Sequence, residues 1–433
     1  MSVSVSAVFA TRAVSLLLAA GTTFVLARVL GPVDLGGYYL LVLVPSSALA
    51  IFSFGLPSAL TYFSGRGDDL NEVRTLAILL GLACSAAIAA VLLVLGPVLY
   101  DTILAAAPQT LLPVALAATP GVFLTAFATA VILGQQRLRA YNALLLIQAT
   151  CLFVAQVVTV VILKGGLAGA LWTYAGTNLL AAILSVGAMI RLAPFRPTFR
   201  GNSARALLRY GTILQPASLA GFFSYRADVF LISLIMRNPA ALGQYGVAVN
   251  LAELCFYVPD AVSTVLFPRV ASSDRAEAAA LVPPACRITL SLTMLAGAVL
   301  AAAALVGIPL LLPAYLPSLV PTFLLLPGII GLSASKVLSG YLSGIGRPAP
   351  ISAVASGALI LNVLCNVLLI PILGIAGAAA ASLISYSANG LAMARIGSRQ
   401  AGVPLTAMIR LRAPDVAFLR AAVPRLIVAW KRR

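Results

Sequence analysis

Residues 348–394, PAPISAVASGALILNVLCNVLLIPILGIAGAAAASLISYSANGLAMA, form a run of 47 residues with no Asp, Glu, Lys or Arg. A helix rises 1.5 Å per residue, so one continuous helix here would reach about 70 Å. The hydrocarbon core of a bilayer is only about 30 Å thick. The run must therefore fold back, and the turn is written at Pro371-Ile372-Leu373-Gly374. Residues 288–335 repeat the situation with 48 uncharged residues and a turn marked by Pro313, Pro317 and Pro321. Residues 75–100, 140–163 and 165–190 are uncharged runs of single-span length.

The whole chain agrees. Of 433 residues 61% are apolar and 9% are charged, whereas soluble domains carry about 25% charged residues. Its 28 basic and 11 acidic side chains are too few to coat a soluble globule of this size. The composition implies an all-α polytopic membrane protein. It excludes a cytosolic enzyme, a secreted disulfide scaffold and a disordered hub. Histidine is absent, which removes imidazole metal ligands and Ser-His-Asp chemistry. The five cysteines (Cys84, Cys151, Cys255, Cys286, Cys365) show no C-x-x-C spacing, so no metal and no cofactor is expected.

Segmentation predicts twelve transmembrane helices: 5–28, 38–64, 75–100, 112–136, 140–163, 167–190, 206–236, 240–268, 285–311, 319–345, 348–371 and 375–396. With the N-terminus inside, 22 basic residues fall in inner loops and the C-terminal tail, and 3 in outer loops. The positive-inside rule then places both termini of a multi-pass membrane protein in the cytoplasm. It also explains the net charge of +17 without nucleic acid. The remaining cations, Arg12, Arg226 and Lys336, lie within spans.

Self-comparison reveals an internal repeat. Pro32-Val33-Asp34-Leu35-Gly36-Gly37-Tyr38 matches Pro239-Ala240-Ala241-Leu242-Gly243-Gln244-Tyr245 as P-x-x-L-G-x-Y, at an offset of 207 residues. Gly134-Gln135-Gln136-Arg137 matches Gly344-Ile345-Gly346-Arg347, and Gly166-Leu167-Ala168-Gly169-Ala170 matches Gly374-Ile375-Ala376-Gly377-Ala378, at nearly the same offset. Six spans per half make the repeat parallel. The expected organisation is a six-helix lobe at 1–190, a basic cytoplasmic linker at 191–209, a second six-helix lobe at 210–396, and a basic cytoplasmic tail at 397–433.

The segment Leu26-Ala27-Arg28-Val29-Leu30-Gly31-Pro32-Val33-Asp34-Leu35-Gly36-Gly37-Tyr38 resembles the LARxLGPxDfGxY opening of Wzx-type polysaccharide flippases. These belong to the multidrug/oligosaccharidyl-lipid/polysaccharide exporter superfamily. Gly55-Leu56-Pro57-Ser58-Ala59-Leu60 is similar to their second helix. Asp228 followed by Leu242-Gly243-Gln244-Tyr245 and Leu266-Phe267-Pro268 resembles their helix 7–8 pattern. Gly346-Arg347-Pro348 onward through Asn362, Asn366 and Gly374-Ile375-Ala376-Gly377-Ala378 is similar to their helices 10–12. The resemblance spans residues 1 to 395. It implies no enzyme but a flippase moving undecaprenyl-diphosphate-linked oligosaccharide from the inner to the outer leaflet, for O-antigen, capsule or exopolysaccharide biosynthesis. The implied fold is two bundles around a central cavity, working by alternating access. Implied partners are the lipid-linked glycan and membrane lipids, with a polysaccharide polymerase as a further candidate. A cation-coupled multidrug-type exporter and a lipid II flippase stay open as alternatives.

A diphosphate headgroup needs fixed positive charge in a wet cleft, because moving one ion into a low-dielectric medium costs on the order of 20 kcal/mol in the Born limit. Arg12, Arg226 and Lys336 are the candidate substrate-binding cations, with Gln215, Asn178 and Asn250 for sugar hydroxyls. Asp228 and Glu253 are the candidates for coupling to a proton or sodium gradient. A structural ion pair between Arg226 and Glu253 stays open. Asp260 reads as structural, and Asn362 with Asn366, four residues apart on one helix face, as packing.

Overall fold

A computed structural model gives the fold and describes residues 2–66, 69–102, 104, 107–192, 194–199 and 201–410. Helix α1 (Ser2–Phe52) is two helical runs joined at Gly31, where φ is 73° and ψ is 174°. The expected loop at 29–37 is therefore largely helical. Pro32 opens the second run, where its missing N–H is no loss and its fixed φ already suits the helix. Reading Pro32 as loop placed the start of the second span too late. That span is divided again at residues 53–55, with Phe54 at φ 48°, before α2 (Leu56–Arg66).

α3 (Leu70–Thr102), α4 (Leu112–Ala117) and α5 (Thr119–Gly134) follow. α6 (Leu138–Gln156) widens into a π-helical turn at Val157–Ile162 before α7 (Gly166–Ile190). α8 (Gly201–Met236) contains Pro216. α9 (Pro239–Glu253) and α10 (Tyr257–Ser272) meet at a 3-10 turn, Leu254–Phe256. α11 (Arg275–Leu311) folds back through the expected proline turn at Pro313–Ser318 into α12 (Leu319–Gly344). α13 (Ala349–Leu373), α14 (Ile375–Ala401) and α15 (Leu405–Ile409) complete the chain. The fold-back inside 348–394 falls at Gly374, whose φ of 58° suits glycine.

Among the described residues, nine helical stretches are long and apolar enough to cross a membrane. Large apolar side chains such as Leu17, Val94, Ile183, Val299, Leu310 and Ile372 stand exposed on the helices. That is the arrangement acyl chains solvate and water does not. The protein is an all-helical, multi-pass membrane protein.

Packing divides the chain into two compact units, residues 1–247 with 311–317, and residues 248–310 with 318 onward. The boundary between these units falls inside α9, and α8 packs on α1 and α2. The core of the first unit gathers Leu56, Leu60, Val73, Leu76, Phe123, Phe127, Val131 and Met189. Within the same unit the two copies of P-x-x-L-G-x-Y meet backbone to backbone. A Cβ on Gly36 would lie 1.8 Å from the Pro239 carbonyl oxygen, and one on Gly243 would lie 2.0 Å from that of Pro32. Only glycine allows this approach.

In the second unit α14 packs on both α12 and α13. The Asn362 amide donates to Ser385 Oγ (3.0 Å) and Ser382 Oγ (3.4 Å) on α14, and the Asn366 amide donates to Asn362 Oδ1 (2.9 Å). This pair therefore packs helices together. Met408 of α15 is buried against Val282, Cys286, Tyr341 and Met393. Arg287 Nη1 donates to the Ala407 carbonyl at 2.6 Å and ties α15 to α11.

Candidate functional site

Each unit carries embedded charges. In the first unit Arg226 and Asp228 are two residues apart on α8, so they point in different directions. Arg226 is half-buried, and its Nη1 donates to the Tyr225 carbonyl at 3.2 Å. Asp228 is buried. Its Oδ2 accepts a short hydrogen bond from the Tyr245 hydroxyl on α9, and its Oδ1 accepts the Val229 N–H at 2.9 Å. Tyr245 is itself fully buried.

Tyr245 was missed as a site residue, although it closes the repeated P-x-x-L-G-x-Y motif. Its counterpart Tyr38 is also buried and receives the Gln156 amide at 3.4 Å. Both repeat tyrosines thus anchor polar contacts inside the packing, and a repeated tyrosine in an apolar chain was the available signal. Tyr245→Phe removes a donor from a buried carboxylate and is expected to cost about 1–3 kcal/mol. Tyr38→Phe breaks a longer, neutral contact and is expected to cost about 1 kcal/mol or less. Thermal unfolding of the purified protein in detergent ranks the two.

In the second unit Lys336 on α12 pairs with Asp260 on α10, Nζ to Oδ1 at 2.7 Å. The same Nζ lies 4.1 Å from the centroid of the Phe256 ring. Ser263 Oγ donates to the Lys336 carbonyl at 3.2 Å and holds α10 on α12. Asn250 and Glu253 are half-buried near the end of α9, three residues apart and so on one face.

The other expected residues go elsewhere. The Gln215 amide donates to the carbonyls of Ala50 (2.8 Å) and Ile51 (2.9 Å), just before the break at 53–55. The Asn178 amide donates to the Tyr174 carbonyl at 2.9 Å, and its Oδ1 accepts from Gln148 at 3.3 Å. Both side chains are buried and their amides bind helix carbonyls, while Gln215 Oε1 has no hydrogen-bond partner. The Arg12 backbone lies in α1, and its side chain falls outside the described residues.

Two buried arginines escaped sequence reasoning. Arg74 and Arg287 read as topology-setting charges at the inner face, and both are buried on backbone carbonyls. Sequence carries no mark for a partner that is a carbonyl of another helix.

Helices of this length and apolar surface define a multi-pass membrane fold. The structure is similar to that of a lipid II flippase, MurJ, in an inward closed conformation. The TM-score is 0.79 at 13% identity, covering 92% of this chain and 88% of that one. It is also similar to an inward-facing multidrug resistance MATE family transporter of the MOP superfamily. There the TM-score is 0.66 at 14% identity, covering 89% of this chain and 94% of that one. A third likeness is a mutant form of the Vibrio cholerae MATE transporter VcmN. Its TM-score is 0.58 at 14% identity, covering 92% of this chain and 98% of that one. Comparison with curated protein sequences finds no match. The family described as "Polysaccharide biosynthesis protein" matches residues 25–316, and the chain belongs to that family.

Proposed function

We propose that the protein is a flippase that carries undecaprenyl-diphosphate-linked oligosaccharide from the inner to the outer leaflet by alternating access. The observation that carries this reading is membership of a polysaccharide-biosynthesis family on a fold shared with a lipid II flippase. The embedded cations support it. Arginine binds phosphate oxygens through a planar fork, and Arg226 is half-buried in a candidate span. A charge there is expensive unless it serves a site. In this reading Arg226, Lys336 and Arg12 hold the diphosphate, Asn250 contacts sugar hydroxyls, and the polyprenyl tail stays in lipid.

The twelve-span, two-lobe reading belongs to the same proposal. It is supported by the divided spans at 53–55 and 254–256, which interrupt the second helix of each half, and by the paired tyrosines of the repeat. Lobes at 1–190 and 210–396, both termini in the cytoplasm and an inner-membrane location belong to the proposal, with a polysaccharide polymerase as a candidate partner. Asp228, with Tyr245, and Glu253 are the proposed groups for coupling to a proton or sodium gradient. The likeness to MATE transporters favours a second reading, export of small molecules. The positive charge of Arg226 and Lys336 disfavours lipophilic cations as its cargo.

In cells lacking their own flippase, Arg226→Ala is expected to abolish surface polysaccharide at normal protein level, and Arg226→Lys to restore part of it. Full complementation by Arg226→Ala would remove Arg226 from the site. Wild-type protein that fails to support surface polysaccharide yet raises resistance to lipophilic cations would replace the reading with the multidrug one.

A further inference from the structure

Phe256, Asp260 and Ser263 lie at i, i+4 and i+7, so they share the face that the 3-10 turn and α10 turn toward α12. Lys336 meets all three. Its ammonium touches Asp260 at 2.7 Å and sits 4.1 Å from the Phe256 ring centroid, while its own carbonyl receives Ser263. The two charged partners are unequally placed. The Asp260 side chain is 44% accessible and that of Lys336 21%. The carboxylate is thus the outer member and the ammonium the inner one. An ion pair left open on one side among membrane helices would be costly against acyl chains, so its open side suits a hydrated face.

We propose that Asp260 is a built-in competitor for the substrate's diphosphate. It occupies Lys336 when no cargo is present and is displaced by the more highly charged headgroup. This rests on the flippase reading and adds to it the regulation of one cation. The chemistry is simple exchange. A carboxylate brings one negative charge and a diphosphate about two, and both meet an ammonium through oxygen. The Phe256 ring attracts the ammonium through its negative face without neutralising it. Lys336 therefore keeps its place and its charge when Asp260 leaves. An open carboxylate–ammonium pair is worth at most about 1 kcal/mol, which is weak enough to be exchanged. The pair makes the resting site nearly neutral, so monovalent anions gain little from entering while a diphosphate displaces the carboxylate.

Binding to the purified full-length protein in nanodiscs tests the proposal, with farnesyl diphosphate and inorganic pyrophosphate as probes. Asp260→Asn is expected to tighten both by about fivefold, and the gain is expected to vanish in the Asp260→Asn/Lys336→Gln double variant. Tightening of farnesyl diphosphate alone identifies the lipid headgroup as the source of the diphosphate. The chain has three lysines, Lys164, Lys336 and Lys431, so 13C-methylated lysine signals provide a readout that needs no variant of Asp260. The Lys336 signal, assigned by its loss in Lys336→Arg, is expected to move when farnesyl diphosphate is added to the wild type. Unchanged affinity in Asp260→Asn, or a gain that survives Lys336→Gln, overturns the competitor role. A still Lys336 signal does so too, and if Arg226→Gln weakens binding in that case, the flippase reading stands alone. Absence of binding by either probe to wild type overturns both.

Discussion

Arg74→Ala is expected to cost the first unit on the order of 3–5 kcal/mol and to release residues 194–198 from it. The guanidinium is almost wholly buried at the start of α3. Its Nε donates to the Leu70 carbonyl at 3.1 Å. Nη1 donates to the Ile190 carbonyl at 3.0 Å and reaches that of Met189 at 3.4 Å. Nη2 donates to Asn71 Oδ1 at 2.6 Å and to the Pro194 carbonyl at 3.2 Å. The Phe195 ring covers it, 5.2 Å from Cζ to the centroid. Helical donors run out at the C-terminus of α7; the Met189 carbonyl still receives the Leu192 N–H at 3.3 Å, and Arg74 serves the Ile190 carbonyl beyond it. Truncation would take this donor from the Ile190 and Pro194 carbonyls, both part-buried. The neighbouring bonds, Arg196 N–H to Asn71 Oδ1 and Thr198 N–H to Thr75 Oγ1, both at 3.2 Å, are expected to loosen with it. Arg74→Lys keeps the charge but lacks the fork, and is expected to recover less than half of the loss. A lower unfolding midpoint, with new protease cleavage between 191 and 199, checks the prediction. An unchanged midpoint in Arg74→Ala would show that the carbonyls are satisfied by other means.

Gly36→Val and Gly243→Val are expected to lower stability by about 3 kcal/mol or more. A side chain at either position meets a carbonyl oxygen at 2.0 Å or less, well inside van der Waals contact. The obstacle is backbone, so no rotamer change relieves it and the helices must part. Overpacking of this kind commonly costs about 1–3 kcal/mol, and more where nothing yields. The contact is reciprocal, and that gives a sharper test. Once Gly36→Ala has forced the two segments apart, Gly243→Ala meets space already made. The double variant is therefore expected to lose clearly less than the sum of the singles. Thermal midpoints of the four proteins, with surface polysaccharide alongside, measure the coupling. Additive losses would mean that the two glycines act separately.

The helical frame was legible because span length is a hard constraint. An uncharged run of 47 residues has to turn, and it turns at Gly374, the last residue of the expected turn. Pro32 was misread because proline ends some helices and begins others, and only the break at Gly31 decides between them. The opposed directions of Arg226 and Asp228 followed from helix geometry alone. What each side chain touches did not. Gln215 and Asn178 have the same chemistry as a sugar-binding amide, yet the groups they meet include ones distant in sequence. Arg74 and Arg287 were hidden for the same reason. Asp260 was read as structural, a reading the salt bridge to Lys336 permits, and only its open side suggested more.

The docking of α15 bears on how this protein is handled. Met408 is buried in the core of the second unit and Arg287 grips the carbonyl one residue before it. Trimming the gene at residue 403 to discard a basic tail would empty that socket and remove the carbonyl that Arg287 holds. A purification handle placed beyond Arg410 leaves the plug seated, so shortened versions should retain every residue through Ile409.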